Sequence, residues 1–181
     1  MITLDHPWRA AGQREVFRHL LDAMARPGSR HDLSPWAGGS ALLAVLACLV
    51  DAHTTLHDRD GLLSELDASR LGAGRADAGV ARFILARGAR VPGDLAPDRG
   101  TLLQPERGAT VVLAVDYLDG GAPLHLRGPG IDGSATMAPR GLDPAWITAR
   151  AGWCAHPLGV DYILVDAGRV TCIPRTTAVE A

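Results

Sequence analysis

The sequence of 181 residues contains no lysine, so all 18 of its basic side chains are arginines. Without a side-chain amine, the chain has no group that could form a Schiff base with pyridoxal phosphate or with a carbonyl substrate. It also lacks the lysine that a Walker A phosphate-binding loop or a kinase requires. We therefore exclude these mechanisms and expect no bound cofactor.

Cysteine, surplus charge and long apolar runs are also scarce. The three cysteines, Cys48, Cys154 and Cys172, are odd in number and far apart, which argues against a disulfide framework and favours a reducing compartment. The longest apolar run, residues 41–50, is about half the length of a membrane span. The N-terminal segment around Asp5 does not resemble a secretory signal. A net charge of −2 argues against nucleic acid as a partner. We expect a cytoplasmic protein with no membrane or nucleic-acid partner.

The composition is that of an ordinary folded domain, with 47% hydrophobic and 21% charged residues. A chain of this length corresponds to one domain, and we assign residues 1–181 to it. Its core is large enough to fold without a metal ion or a disulfide.

Apolar periodicity predicts four helices. The second, residues 41–50, is apolar on every side, so we expect it to be buried. The others are amphipathic or carry recognisable capping residues. The predicted helices are one through Val16, Leu20 and Met24 that ends at Pro27-Gly28, one over 41–50 capped by Ser40, one from Asp60 through Leu66, and one from Asp143 and Pro144 to Gly152.

Between these helices, β-branched and apolar runs predict strands over residues 80–85, 109–118, 123–127, 160–165 and 170–173. Residues 111–115 are continuously apolar, which is typical of a central strand covered on both faces. The glycine-containing segments 119–121 and 166–168 predict tight turns, each joining two antiparallel strands. Together the elements predict an α/β fold with a mixed sheet and packed helices.

His53 and His57 are the first candidates for a metal site, because on a helix both imidazoles would share one face. The intervening Thr54-Thr55-Leu56 instead predicts a strand, in which these histidines lie about 13 Å apart. That separation is too wide for one zinc ion, so we predict no metal site.

Two arginine-containing segments are candidates for binding an anion or a partner protein. In the first, Arg127 is followed by Gly128-Pro129-Gly130, whose backbone N–H groups could point outward beside the guanidinium. The second is Arg175-Thr176-Thr177. The first could also be a plain tight turn, and Arg175 could instead pair internally with Asp161 or Asp166.

No nucleophile with an adjacent base is recognisable. Cys154 and His156 are close in sequence, but at a helix end they are expected to point in different directions. We therefore assign no catalytic residue.

Five blocks spread along the chain form a recognisable combination. They are Gln13 followed by FRHLLDAMARPG at 17–28, GT at 100–101 with PERGAT at 105–110, LRGPGI at 126–131, HPLGVD at 156–161, and IPRTT at 173–177 followed by VE at 179–180. In this order they resemble the PhnH family, the H subunits of the bacterial carbon–phosphorus lyase system. The resemblance spans essentially the whole chain, although residues 53–99 carry little of it.

The resemblance implies a single-domain three-layer α/β sandwich similar to the large domain of aminotransferases that use pyridoxal phosphate, but without that cofactor. It implies a homodimer and a subunit of a complex with G, I, J and K type partners. With G, I and L type subunits, the family supports the transfer of an alkylphosphonate onto the ribose of ATP, with release of adenine. The family's H subunit has no established catalytic residues, so none is carried over.

Two other functions remain open. One is an independent phosphonate- or nucleotide-handling transferase with an anion site at residues 127–130. The other is a simple module that binds a small molecule. A purified chain that acts on ATP and methylphosphonate without partners would favour the independent enzyme.

Overall fold

The computed structural model describes residues 6–180, which form five α-helices and two β-sheets. The helices are α1 (Ala10–Ala25), α2 (Ser34–Ala37), α3 (Ala41–Leu49), α4 (Glu65–Leu71) and α5 (Ala145–Trp153), with 3-10 turns at His6–Trp8 and Pro105–Arg107. The strands are β1 (His31–Asp32), β2 (Thr55–Asp58), β3 (Gly74–Arg75), β4 (Phe83–Arg87), β5 (Thr110–Ala114), β6 (Tyr117–Arg127), β7 (Ala135–Arg140), β8 (Asp161–Val165), β9 (Arg169–Ile173) and β10 (Ala178–Glu180).

The larger sheet has seven strands in the order β1-β9-β8-β5-β4-β2-β3. Strands β8, β5, β4, β2 and β3 are parallel neighbours, whereas β9 runs antiparallel to both β8 and β1. Strand β5 lies between two parallel partners, and its residues Val111, Val112 and Leu113 are fully buried. The predicted central strand is therefore confirmed, because alternate side chains of such a strand face the two covered sides of the sheet.

The hairpin between β8 and β9 also has the predicted form, and Asp166 organises its turn. The Asp166 carboxylate accepts hydrogen bonds from the backbone N–H groups of Gly168 at 3.1 Å and Arg169 at 2.8 Å. It also accepts one from Leu118 of β6 at 3.2 Å. One carboxylate thus closes the turn and joins it to the second sheet.

The second sheet has the order β10-β6-β7 and corrects one prediction. Residues 119–121 do not turn the chain, because β6 runs through them and pairs with β7 in an irregular register. Gly120 has φ 78°, and a Cβ at Gly121 would clash with the backbone of Pro139. The glycines therefore provide a bulge and a close approach between strands. The chain changes sheets at residues 115–116, so the antiparallel partners of 123–127 are β7 and β10.

The core has two parts, one on each face of the seven-stranded sheet. Helices α1 to α4 cover one face, and α5 covers the other together with the second sheet. The predicted α/β class with a mixed sheet and packed helices is confirmed. A three-stranded sheet in the third layer was not expected from the sequence.

Helix α3 begins as its predicted cap requires, because Ser40 accepts the N–H of Leu43. Asp143 was predicted to cap the fourth helix, but α5 begins at Ala145 with Pro144 at the N-cap position, and Asp143 accepts the N–H of Ala145 from one residue further back. The third predicted helix also begins later than expected. Helix α4 begins only at Glu65, because the Asp58 carboxylate binds the backbone N–H groups of residues 62 and 63 at 2.9 Å and holds them in a loop.

Two smaller findings concern strand position and hydropathy. The strand predicted over 80–85 lies at Phe83–Arg87, and Val80 is exposed in the loop before it.

Within residues 6–180, no helix combines the length and the apolar character needed to cross a bilayer.

Candidate functional site

The fold brings together the two arginine-containing segments that the sequence singled out. Strand β10 pairs antiparallel with the end of β6, which places Ala178 opposite Arg127. Beyond this pair, Gly128 adopts φ 148°, and a Cβ there would lie 2.9 Å from the carbonyl oxygen of Thr176. Gly128 is therefore required for the close approach of the two segments.

The Gly-Pro-Gly turn itself is packed against the protein. Gly130 has φ 79°, and an added Cβ would collide with the carbonyl oxygen of Ala25 at the end of α1. Arg127 is exposed at the start of the turn. The packing of Gly130 is that of a structural turn, whereas the Arg127 side chain lies at the surface.

Arg175 forms the internal pair with Asp161 that the sequence analysis left open. Its Nη2 lies 2.5 Å from Asp161 Oδ2, and its backbone N–H donates to Oδ1 of the same carboxylate at 2.7 Å. Nη1 donates to the carbonyl of Pro105 at 2.5 Å, and the side chain is 15% exposed. The hydrogen bond with Asp161 raises the pKa of Arg175 despite its partial burial. Arg175 thus ties the C-terminal segment to β8 and to residues 105–108.

A cleft of about 510 Å³ opens between α5 and the C-terminal segment. Its lining includes Arg175, Thr176 and Thr177 from the second predicted segment and Pro129 from the first. Arg127, Gly128 and Gly130 lie outside this lining, although Gly128 supports it by contacting the backbone of residues 176 and 177. Three of the six predicted site residues therefore meet in one cleft.

Arg150 of α5 also lines the cleft, and the sequence analysis missed it. It is 4% exposed, and its Nη1 and Nη2 donate to the backbone carbonyls of Thr177 and Pro174, the first at 3.0 Å. Among residues 6–180, no carboxylate lies within ion-pair distance of this guanidinium. Burial lowers the pKa of Arg150. Its burial could have been predicted from the helical spacing. Arg150 lies four residues after Trp146 and three after Ile147, so it shares the buried face of the helix with them.

Two buried polar atoms in residues that line the cleft lack hydrogen-bond partners within the described chain. They are Nε of Arg150 and Oγ1 of Thr177. Buried polar atoms are satisfied in nearly all proteins, so unpartnered ones need an explanation. Both atoms are themselves buried, and both belong to residues that line the cleft.

The remaining candidates do not form a reactive site in the structure. His57 lies on β2, as predicted, with its Nδ1 3.0 Å from the carbonyl of Ala76, and His53 lies in the preceding turn. In residues 6–180 there is no cluster of three or more potential metal ligands. The thiol of Cys154 donates to the carbonyl of Val160 at 3.6 Å, and His156 is exposed at the rim of the cleft.

These features define a class of protein: an α/β domain whose distinctive polar element is an arginine-lined cleft near its C-terminal segment. Comparison with known families narrows this class. A model of the family described as bacterial phosphonate metabolism proteins (PhnH) matches residues 5–180. The chain belongs to the PhnH family, and the resemblance carried by the five sequence blocks is confirmed.

Two relatives cover most of the chain. The putative C–P lyase subunit protein HtxG of Stutzerimonas stutzeri is 43% identical over 173 residues, which is 94% of this chain and 87% of the relative. The alpha-D-ribose 1-methylphosphonate 5-triphosphate synthase subunit PhnH of Rhizobium meliloti (strain 1021) is 37% identical over 183 residues, covering 92% and 90%. This chain and these two proteins are thus similar over nearly their whole lengths.

Proposed function

We propose that this chain is a subunit of a carbon–phosphorus lyase complex and acts in the catabolism of organic phosphonates. The single observation that carries the proposal is the near-complete coverage of two relatives whose names describe them as such subunits. With G, I and L type partners it would support the transfer of methylphosphonate to C1′ of ATP. In that reaction the bond from C1′ to adenine breaks, a bond from C1′ to a phosphonate oxygen forms, and adenine leaves.

We assign this chain an accessory role rather than the bond-breaking step. Two arginines, Arg150 and Arg175, line its cleft beside the exposed His156. The arginines stay protonated and therefore cannot serve as a general base. What they can do is neutralise an anion and hold it in a fixed orientation. The catalytic groups of the transfer would then belong to partner subunits.

We further propose that the chain contacts G, I, J and K type subunits and forms a homodimer in the cytoplasm. Large apolar side chains at the surface support an interface. On α1, Phe17 is 45% exposed and Leu21 is 54% exposed, and in the loop before β5, Leu102 and Leu103 are more exposed still. The mixed seven-stranded sheet and the missing lysine support a relation to the large aminotransferase domain without its cofactor.

An independent phosphonate- or nucleotide-handling transferase is the second candidate. The arginine-lined cleft favours it, because such a cleft could hold a phosphonate or a triphosphate without a partner protein. This candidate predicts that the purified chain converts ATP and methylphosphonate and releases adenine by itself.

The decisive experiment replaces the H subunit of a phosphonate-using bacterium with this chain. We expect growth on methylphosphonate as the sole phosphorus source, and we expect the tagged chain to co-purify with the other subunits. Growth on phosphate controls for viability. The purified chain alone should release no adenine from ATP and methylphosphonate. Failure to restore growth or to co-purify would refute the subunit assignment, and adenine release by the chain alone would favour the second candidate.

A further inference from the structure

The charges around the cleft do not balance. Arg150 and Arg175 both line it, and Asp161 is a carboxylate paired with Arg175 at close range. Asp161 is fully engaged by Arg175, through the guanidinium and through the backbone N–H. Among residues 6–180, Arg150 therefore has no carboxylate at ion-pair distance, and Asp161, which acts on it from further away, is already paired with Arg175.

A buried guanidinium without a counter-ion is costly. Charges taken out of water are normally paired, since the desolvation penalty is otherwise only partly offset. The carbonyls of Thr177 and Pro174 accept two of the five N–H groups of Arg150, but a neutral carbonyl cannot neutralise the charge. The Nε of Arg150 also has no hydrogen-bond acceptor in the described chain, so the guanidinium is incompletely hydrogen-bonded as well. An anion in the cleft would supply the missing negative charge.

The cleft also offers polar groups that could hold an anion in place. Thr176 and His156 are exposed and line it, and so does the buried Thr177, whose Oγ1 has no partner in the described chain. Its volume of about 510 Å³ lies within the usual range of small-molecule pockets. Hydroxyl and guanidinium donors that converge in a concave site suit the several acceptor oxygens of a tetrahedral oxyanion.

We propose that this cleft binds the phosphonyl or phosphoryl group of a small molecule, with Arg150 as the charged anchor and Thr177 as a hydrogen-bonding group. The charge argument stands on the structure alone, whereas the choice of methylphosphonate or ATP as the source of the group rests on the proposed function. A carboxylate would be the competing ligand chemistry, so acetate is included in the test.

The test is isothermal titration calorimetry of the purified full-length chain with methylphosphonate, ATP, inorganic phosphate and acetate in separate runs. We expect binding of at least one of the first three ligands and at least tenfold weaker binding of acetate. Tighter binding of methylphosphonate identifies the phosphonyl group as the ligand, and tighter binding of ATP identifies the triphosphate. Binding of none of the three, or of acetate as strongly, overturns the proposal.

Variants then locate the site. Arg150→Met, which removes the charge but keeps an unbranched side chain, should weaken binding at least tenfold, whereas Arg150→Lys keeps the charge and should weaken it less. Thr177→Val keeps the shape and removes a hydroxyl that has no partner in the described chain, so the variant should fold and bind about fivefold more weakly. Arg14→Met is the matched control, because Arg14 is a largely exposed arginine on α1.

The binding of these variants shows whether the anion binds in this cleft or elsewhere on the protein. If Arg150→Met and Thr177→Val both bind like the unaltered chain, the proposal is wrong, and if Arg150→Met does not fold, Thr177→Val decides alone. The result is separable from that of the growth experiment. A chain that restores growth yet binds no oxyanion overturns only the cleft proposal, whereas a chain that binds oxyanions but neither restores growth nor co-purifies overturns only the subunit assignment.

Discussion

Replacement of Arg175 by methionine tests whether this arginine is a structural residue. The structure places its guanidinium between Asp161 and the carbonyls of Pro105 and Gly108. Methionine preserves most of the apolar stem but removes every one of these donors. If Arg175 were an exposed binding residue, as one interpretation of the sequence holds, the substitution would lower the free energy of unfolding by less than about 0.5 kcal/mol.

The geometry indicates a much larger loss. Hydrogen bonds to a charged group typically contribute about 1.5–3 kcal/mol, and each lost bond to a carbonyl about 1 kcal/mol. The Asp161 carboxylate, whose side chain is 20% exposed, would also lose its counter-ion. It would keep the backbone N–H of residue 175, which limits the damage. We expect Arg175→Met to lower the free energy of unfolding by about 3 kcal/mol.

Thermal and urea unfolding measure this difference directly. For a domain of this size, about 3 kcal/mol corresponds to a fall in Tm of roughly 6–12 °C. Asp161→Asn and the double variant complete a thermodynamic cycle, in which the two losses should be strongly non-additive because the residues are in contact. Arg14→Met serves as the exposed-arginine control. A fall in Tm below about 2 °C for Arg175→Met, or strictly additive losses, would refute the structural role.

Three further predictions concern other parts of the chain. Burial alone would raise the pKa of Asp166, but hydrogen bonds from Arg169, Gly168 and Leu118 outweigh it and lower the pKa. The ionised carboxylate therefore stabilises the fold above about pH 4, and this stabilisation is lost as the pH falls further. Asp166→Asn should lower the free energy of unfolding by about 2 kcal/mol at pH 7. Urea titrations should show that the gap in unfolding free energy between the variant and the unaltered chain shrinks below about pH 4. A gap that does not change with pH would contradict this prediction. Iodoacetamide should modify Cys154 first, because burial raises the pKa of Cys48 to about 11 and also raises the pKa of the fully buried Cys172. Early modification of Cys172 in the folded chain, detected by mass spectrometry, would be inconsistent with its burial. Phe17→Asp on the exposed face of α1 should weaken self-association without unfolding the domain, and light scattering that finds the unaltered chain monomeric at micromolar concentration would remove the homodimer.

The sequence was most informative where a single local property determined the structure. Residues 111–115 are apolar without interruption, and such a segment is stable only where both faces are covered, so a central strand was predictable. Ser40 has a side chain that accepts the backbone N–H of Leu43, and it was a recognisable cap. These features depend on a few neighbouring residues.

The sequence was less informative where distant residues decide the outcome. The glycines at 120 and 121 have the composition of a turn, yet the approach of Pro139 from β7 converts the segment into a bulged strand. The delayed start of α4 depends on Asp58, whose carboxylate captures two N–H groups that would otherwise be free to join the helix. In both cases a contact from outside the predicted element overrides its local preference.

Arg150 and Arg175 show why a site of this kind is hard to derive from residue type. Arg150 donates to backbone carbonyls of the C-terminal segment, whereas Arg175 belongs to that segment and donates to the carbonyl of Pro105. They differ in one respect, since Arg175 has the Asp161 carboxylate beside it and Arg150 has no carboxylate at ion-pair distance within residues 6–180. A paired guanidinium is already neutralised and serves mainly to hold the fold together, whereas an unpaired buried one gains stability from any anion that reaches it. The sequence points to Arg175 because of its neighbours in the chain, whereas the anion site that we propose depends on Arg150, which only the structure reveals.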